Sequence, residues 1–515
     1  MAADDDWALV TFAIAAVAAG LLIGYLGREQ WFRQDEWDTI VNRHLTDPSS
    51  LIRGWYGHVI VVPVIAYRLL FGVVGLHTYW PYQALTIGAH LVVATCLRVI
   101  MRRMQVNPWL ATTAAGMFLV YSAGNMNLFW GFQVSLTGAL ACGLVQILLV
   151  DHEGPTDRRD RYGFAAGVLS TLFSGVGPVM VALAGGTAGI RRGWRAGLVQ
   201  VAAVVPLLVL RQVAPPDFTP RIPRAGFGVA LEYARGLIAS AWGAYGVSAW
   251  ITAGLFTCVA LGVAGVVRGG LPKNLAHSRL LVPVVLGLGS VFLALLIGFT
   301  RGAPRPASVD AENAERYLYL IAALALPAVV GAIDRLLDDS RHFLWLACAL
   351  FVAPIPLHLR QLGHPDFSAL RPSVETWAMV ADQVQVRGDY NPAPTFKLGP
   401  NAGQLGRLHA AGKIDDPPPG SEALESTARL TLAMEPAAPP ASATCHSVSG
   451  RKIVRLDRGD WIWVGAGGAN IGEWIGGQSR GELSLHPATS WRVLWGPLNI
   501  AAVRGPGLGQ IQICR

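Results

Sequence analysis

The sequence predicts a polytopic α-helical membrane protein of about 11 crossings, followed by a small β-rich domain outside the cytoplasm. Three observations carry this. Of 515 residues, 52% are hydrophobic and 14% charged, with a mean hydropathy of +0.41. Apolar runs of roughly 18 residues recur through the first 360 positions, long enough to cross a hydrocarbon layer of about 30 Å. These runs lack the alternation of barrel strands, and in lipid only helices or closed barrels satisfy the backbone. Beyond His358 the chain turns polar and no spanning run occurs.

Taken in order, membrane helices are expected near 7–26, 81–101, 108–123, 129–150, 162–174, 177–190, 196–212, 247–267, 280–299, 317–333 and 342–359. The first has an acidic front (Asp4, Asp5, Asp6), no basic leader and no small-residue cleavage site, so it reads as a retained anchor. The connections at Arg98/Arg102/Arg103, Arg158/Arg159/Arg161, Arg191/Arg192/Arg195, Arg268/Lys273/Arg279 and Arg335/Arg341 are basic, whereas Gly124–Asn127 and Gly175–Pro178 carry no Lys or Arg. This alternation places the basic loops and the N-terminus in the cytoplasm. The large Ala, Gly, Val and Arg content looks like that of a high-GC bacterial genome, so the membrane expected is the plasma (inner) membrane. The Asp triplet before the first helix, with Arg28 and Arg33 after it, votes the other way. Trp55 to Leu76 is apolar but holds His58, Pro63 and Arg68, and counting it as a crossing inverts every later loop. It is read as an amphipathic helix at the interface, so that 27–80 form one external loop.

The tail divides into a connector over 361–444, whose stretch from Asp415 to Ala443 is rich in Pro, Ala and Ser and reads as a linker, and a β-rich domain over 445–515. Strands are expected at Lys452–Leu456, Trp461–Val464, Glu482–Leu485 and Trp491–Leu494. Cys96, Cys142, Cys258 and Cys348 lie singly in apolar runs and act as small hydrophobes. Cys445 and Cys514 bracket the β-rich part, and a bridge between them would staple a domain too small for a large core, which requires an oxidising compartment. The alternative is two free thiols.

The net charge of +8 and pI of 9.3 come from arginines in short loops, which argues against nucleic acid as a partner. The chain has no P-loop, no GxSxG, no CxxC and no HExxH. Asp151-His152-Glu153 falls in a basic loop and reads as solvated. Polar groups instead gather on the external side: Asp35, Glu36, Asp38, His44, His58, Arg301, Arg305, Asp310, Glu312, Glu315, Arg316 and Tyr317. Asp35 or Glu36, just beyond the first helix, has the chemistry of a general base toward a hydroxyl. Arg301, Arg305 and Arg316 have the planar fork that grips a phosphate. For Arg301 and Arg305, snorkelling toward lipid headgroups is the plainer account. Trp461, Trp463, Trp474, Trp491 and Trp495 lie where no membrane explains them, and either a glycan-stacking face or an aromatic core accounts for them. Asn125, Asn127 and Gln133 lie near a short outer turn, where polar residues are common.

A first helix with its N-terminus inside, an Asp-Glu pair in a long external loop, an interfacial helix ending Arg68-Leu69-Leu70-Phe71-Gly72, and an Arg316-Tyr317 pair before a late helix together resemble the GT-C superfamily of integral membrane glycosyltransferases. The likeness spans most of 1–360 in layout, on short and degenerate motifs. The β-rich tail is similar in arrangement to that of bacterial cell-wall arabinofuranosyltransferases, which carry carbohydrate-binding modules there. The resemblance implies inverting transfer of a sugar from a polyprenyl-phosphate donor to an extracytoplasmic glycan or lipid acceptor. By position, Asp35 would be the base, with Glu36 or Asp38 helping to bind acceptor or cation. Arg316, then Arg301, would face the lipid phosphate, Tyr317 would line that pocket, and His58 would start the interfacial helix. Trp461, Trp463 and Trp491 would bind glycan. Relatives differ in needing a divalent cation, and no cofactor is fixed by these residues. A transporter or flippase for a lipid-linked glycan is the main alternative, since Ser174-Gly175-Val176-Gly177-Pro178 breaks a helix near its middle. However, no internal repeat is found and the acids cluster at one face. A lipid-linked glycan polymerase or ligase of another fold, and a non-catalytic scaffold, also stay open.

Overall fold

A computed structural model describes residues 2–55, 57–215, 224–246, 248–268, 275–301, 311–337, 341–363, 368–384, 400–448, 453–466, 468–475, 478–486, 488–503 and 511–515. Arg305 and Asp310 lie outside the described residues, as do Lys273 and Lys452, and the Glu312 side chain is likewise outside them. The chain divides into two compact units. One comprises 1–30, 43–68 and 80–365, and the other 31–42, 69–79 and 366–515.

The first unit is a helical bundle. Among the described residues, seven helices are long and apolar enough to cross a membrane: Asp5–Leu26, Trp80–Arg103, Gly131–Val150, Trp194–Val213, Leu281–Arg301, Glu315–Leu337 and Leu344–Gln361. An eighth results if Phe227–Gly246 and the apolar helix that follows its two-residue break form one broken crossing. Phe227–Gly246 is not among the expected crossings; Glu232 and Arg235 interrupt its apolar run. The segments expected to cross at 108–123, 162–174 and 177–190 form the helices Pro108–Leu119, Arg158–Phe173 and Gly177–Arg192, of 12, 16 and 16 residues. At 1.5 Å per residue these reach only about 18 to 24 Å. Val61–Val74, with 14 residues, reaches about 21 Å, also short of a full crossing.

Ion pairs gather the basic connections at one end of this unit. Arg102 donates from Nε and Nη2 to the Asp5 carboxylate, at 3.0 and 2.7 Å. The acidic front that counted against a cytoplasmic N-terminus therefore sits among the arginines as their partner. Arg191 holds Asp151 at 2.6 Å and donates to the carbonyls of Ala276 and Ser278. Arg192 holds Asp160, which also takes a bond from His152 at 3.2 Å. Glu153 pairs with His277 at 3.0 Å. His152, Asp157 and Asp160 bring their ligand atoms within 4.8 Å of one another. Yet Arg192 already donates to both Asp160 oxygens, so a guanidinium fills the role a cation would take. The Asp-His-Glu triplet is thus drawn into ion pairs that close the loops.

Deeper in the bundle, a buried histidine is satisfied by its neighbours, as lipid demands. His90, fully buried, meets the Tyr319 hydroxyl at 2.9 Å and the Leu119 carbonyl at 3.0 Å. Around it Phe118, Tyr121, Tyr245 and Tyr319 stack into an aromatic core.

In the second unit nine strands are described: β1 (Met434–Pro436), β2 (Cys445–Val448), β3 (Ile453–Leu456), β4 (Trp461–Val464), β5 (Ala469–Ile475), β6 (Gln478–Leu485), β7 (Ser490–Val493), β8 (Leu498–Val503) and β9 (Ile511–Cys514). They form antiparallel sheets in the orders β1-β7-β4-β9-β2 and β3-β8-β5-β6. Leu456, Ile462, Val464, Ile471, Ile500 and Ile513 belong to one apolar core that draws on both sheets. Cys445 and Cys514 stand opposite each other in the β2–β9 register and are joined by a disulfide. Within the stretch read as linker, Glu422–Leu432 is a helix whose Ala428, Leu430 and Leu432 are buried. Flanking prolines mask its short 3.6-residue period. Gly481, at φ +63°, approaches this helix so closely that a Cβ would lie 2.6 Å from the Thr427 nitrogen.

Helices Leu370–Gln383 and Ala402–Ala410 complete this unit. His409 is held between Asp382 at 2.8 Å and Asp416 at 3.0 Å. Burial alone would lower its pKa, but the two carboxylates outweigh burial and raise it above the usual histidine value. A raised folded-state pKa adds stability that is complete below the unfolded value, about 6.5, and fades as pH climbs through the raised one. Thermal denaturation of the full chain should therefore show the gap between wild type and H409Q shrinking as pH rises above about 6.5. A gap independent of pH would remove the histidine's charge from the account.

Candidate functional site

The acidic cluster opens a short helix, Asp35–Val41, with Asp35, Glu36 and Asp38 in its first turn. Carboxylates there oppose the positive end of the helix dipole, which accounts for three acids beginning so short a helix. Apolar neighbours fix it in the second unit. Phe32 packs edge-on against Trp31 and Tyr79, both at 5.0 Å, and against Trp37 at 6.1 Å. The Arg371 guanidinium lies 4.6 Å above the Trp31 ring and pairs with Glu375 and Asp415.

The three acids differ in availability. Glu36 is fully buried; its Oε1 accepts from the Tyr79 hydroxyl at 2.8 Å and its Oε2 from the Arg33 backbone N–H at 2.9 Å. Asp38 is 6% exposed and accepts from Asn42 Nδ2 at 3.1 Å, while Asn42 Oδ1 accepts from Gln404 Nε2 at 2.9 Å. Asp35 is half-buried, and solvent reaches it more readily than either neighbour. Gln34, directly before it, has φ 44° and ψ −116°. Such a conformation costs a non-glycine residue about 1–3 kcal/mol and persists only where the surroundings impose it. The turn that presents Asp35 is therefore built from strain, an aromatic anchor and a buried acid.

Within the helical unit, other sequence candidates collect at the end opposite the paired arginines. His58 shares a two-way backbone bridge with Trp55. Its ring lies on the Ser174–Pro178 break, where a Cβ on Gly175 would come 2.4 Å from Nδ1. Arg316 sits half-buried on the helix Ala311–Leu337, 5.0 Å from the ring of Tyr317, which is 9% exposed. Among the described residues its buried Nε has no hydrogen-bond partner. Asn127, fully buried, donates to the Arg316 carbonyl at 3.3 Å, and Thr86 donates to the Asn127 carbonyl at 2.8 Å. Asn125 donates to the Gln361 carbonyl at 2.8 Å, and Gln133 is 2% exposed. Asn127 thus ties the turn to the helix that carries Arg316, and Asn125 ties it to the segment ending at Gln361. Arg301 ends the helix Leu281–Arg301 and is half-buried. In the segment after the first helix, Arg43 is fully buried and donates to the carbonyls of Ser50 and Arg53, and the His44 backbone N–H donates to the Ser50 hydroxyl.

On the sandwich, alternation along β4 sends Ile462 and Val464 into the core and leaves Trp461 and Trp463 on the outer face. Arg492, opposite Trp461 in register, lies 5.7 Å from its ring, and Gln512 stands opposite Trp463. Trp491 stands opposite Ile462, packs partly buried against the core and donates from Nε1 to Thr489 Oγ1. The three tryptophans therefore divide, two outward and one inward. Tyr79, Gln404 and Arg371 went unnoticed in the sequence. Nothing local signals that position 404 bonds position 42, or that 371 covers 31.

No family model matches the chain, and no curated protein matches it in sequence. Among solved structures, the cryo-electron-microscopy structure of the arabinofuranosyltransferase AftD from mycobacteria is similar with a TM-score of 0.46 and 15% identity. The match covers 94% of this chain and 40% of that one, so this chain spans well under half of that protein's length. At that level of likeness it assigns no residue a role.

Proposed function

We propose that this protein is a membrane glycosyltransferase that moves a sugar from a polyprenyl-phosphate donor to a hydroxyl of a glycan or glycolipid acceptor. The observation that carries the reading is the acidic turn. A half-buried Asp35 is presented beside a fully buried, doubly bonded Glu36, just beyond the first long apolar helix. In the step proposed, the acceptor oxygen attacks the anomeric carbon, forming the new glycosidic bond with inversion. The bond from that carbon to the phosphate oxygen breaks, and polyprenyl phosphate leaves with the electron pair. Asp35 takes the acceptor's proton. Glu36 and Asp38 hold the turn in place through Tyr79, Arg33 and Asn42. Arg316, whose buried Nε has no hydrogen-bond partner among the described residues, takes the donor phosphate with Tyr317 against its guanidinium, and Arg301 and His58 serve binding on the same helical unit. Trp461 and Trp463 stack on the acceptor glycan. The β-rich domain would then lie outside the cytoplasm, in the plasma membrane of a bacterium building its cell wall. A divalent cation is left to experiment.

The test is reconstitution of the full chain in liposomes with radiolabelled polyprenyl-phosphate sugars and an oligosaccharide acceptor. Label should pass to the acceptor for at least one donor. A second reading, a flippase for lipid-linked glycan, is favoured by His58 resting on the broken segment at Gly175. If the labelled lipid changes leaflet while no donor ever yields labelled acceptor, that reading replaces the first.

A further inference from the structure

A cavity of about 180 Å³ opens at the basic end of the helical unit, far along the chain from the acidic turn. Arg103, Asp151, Arg191, His277 and Arg279 line it, above a floor that includes Ile147, Leu148 and Val282. These charges are not equivalent. Arg191 is spent on architecture: it binds Asp151 and two carbonyls, and only 9% of its side chain is exposed. Glu153 attends His277. Arg103 donates to the Leu148 carbonyl and Arg279 to the Gln105 amide oxygen, both neutral acceptors. Among the described residues neither arginine has a carboxylate in ion-pair reach. Each keeps donors to spare, both are exposed, and both border one cavity. A guanidinium presents five donors in a planar fork matched to phosphate oxygens, so two of them around one pocket form a receptor for a phosphate anion.

The floor narrows the choice. A site for a fully soluble anion has no use for Ile147, Leu148 and Val282 in its lining, whereas an amphiphile places carbon against them. The position agrees. Arg103 ends the helix Trp80–Arg103, Leu148 lies in the last turn of Val134–Val150, and Val282 begins Leu281–Arg301. All three belong to helices long and apolar enough to cross a membrane, so the cavity lies where hydrocarbon gives way to headgroups. Basic pockets between helix ends at that depth select anionic over zwitterionic headgroups by net charge.

We propose that this cavity binds a phosphate ester carrying an apolar tail, with an anionic phospholipid of the surrounding leaflet as its source. Arg103 and Arg279 grip the phosphate, Arg191 with Asp151 forms the fixed wall, and the apolar floor takes the first carbons of the tail.

The test is native mass spectrometry of the full chain in neutral detergent, offered equal phosphatidylglycerol and phosphatidylcholine. Wild type should retain phosphatidylglycerol with a roughly tenfold preference, and R103Q/R279Q should fall close to parity. A control, R158Q/R161Q, removes two exposed arginines elsewhere in the basic loops and should keep the preference. Equal loss in the control would show that the general field of that face attracts the lipid, and would overturn the pocket. Parity already in wild type would overturn it too. Inorganic phosphate that displaces the lipid at millimolar concentration would reassign the site to a soluble ligand. Because both arginines are exposed, the double variant should melt with wild type. Where it does not fold, the single variants R103Q and R279Q carry the same comparison.

Discussion

Replacing Asp35 by asparagine is expected to lower sugar transfer by about two to four orders of magnitude, the range a positioned general base contributes. The substitution preserves shape and removes the proton acceptor. Asp35 is half-buried, and the aromatic anchor of Phe32, Trp37 and Tyr79 does not depend on its charge, so the variant should insert and melt as wild type does. The loss should fall on kcat, with donor affinity held, because a base acts on the acceptor hydroxyl in the transition state. Glu36→Gln provides the contrast. Glu36 accepts two bonds in a fully buried setting, and an amide puts a donor where one of them was. That variant should lose stability by about 1–3 kcal/mol, and activity only as a consequence. Full transfer by Asp35→Asn would end its assignment as base.

The second large effect is on stability. Reduction of the Cys445–Cys514 disulfide, or its replacement by two serines, is expected to cost the β-sandwich about 4 kcal/mol on the chain-entropy estimate for a loop closed over 69 positions. β2 is an edge strand whose residues are mostly exposed, so β9 and the disulfide hold it with little help from the core. Thermal denaturation with and without reductant should show a lower transition for the sandwich, and proteolysis should begin near β2. An unchanged transition would mean that the strand ladder suffices. Since such a bridge persists only in oxidising surroundings, its state in the cell also reports which side of the membrane holds the sandwich.

Much of the architecture was legible in the chain because long apolar runs and short alternating ones are local signals. Asp5–Leu26, Trp80–Arg103 and Leu281–Arg301 coincide with runs that declare themselves, as does β4. Phe227–Gly246 escaped because Glu232 and Arg235 dilute its hydropathy, and the helix at Glu422 because prolines surround it. The site was legible only as a set of residue types. Asp35, Glu36 and Asp38 look alike in sequence; burial separates them, and burial depends on Tyr79, on Asn42 and on Gln404, which lies 362 positions from Asn42. The tryptophans of β4 and β7 likewise look equivalent until the strand register turns Trp491 toward Ile462 and leaves Trp461 beside Arg492.

The short acidic helix has its companions in residues 366–515 as well as in its own loop: Arg371 covers Trp31, and Gln404 reaches Asn42. The C-terminal tail is therefore no interchangeable cartridge. Shortening the gene after codon 365, or grafting on a foreign tail, would strip the acidic turn of its outer supports and should abolish turnover even if every apolar helix were inserted intact. Lineages that trade such tails would have to remodel the turn at the same time.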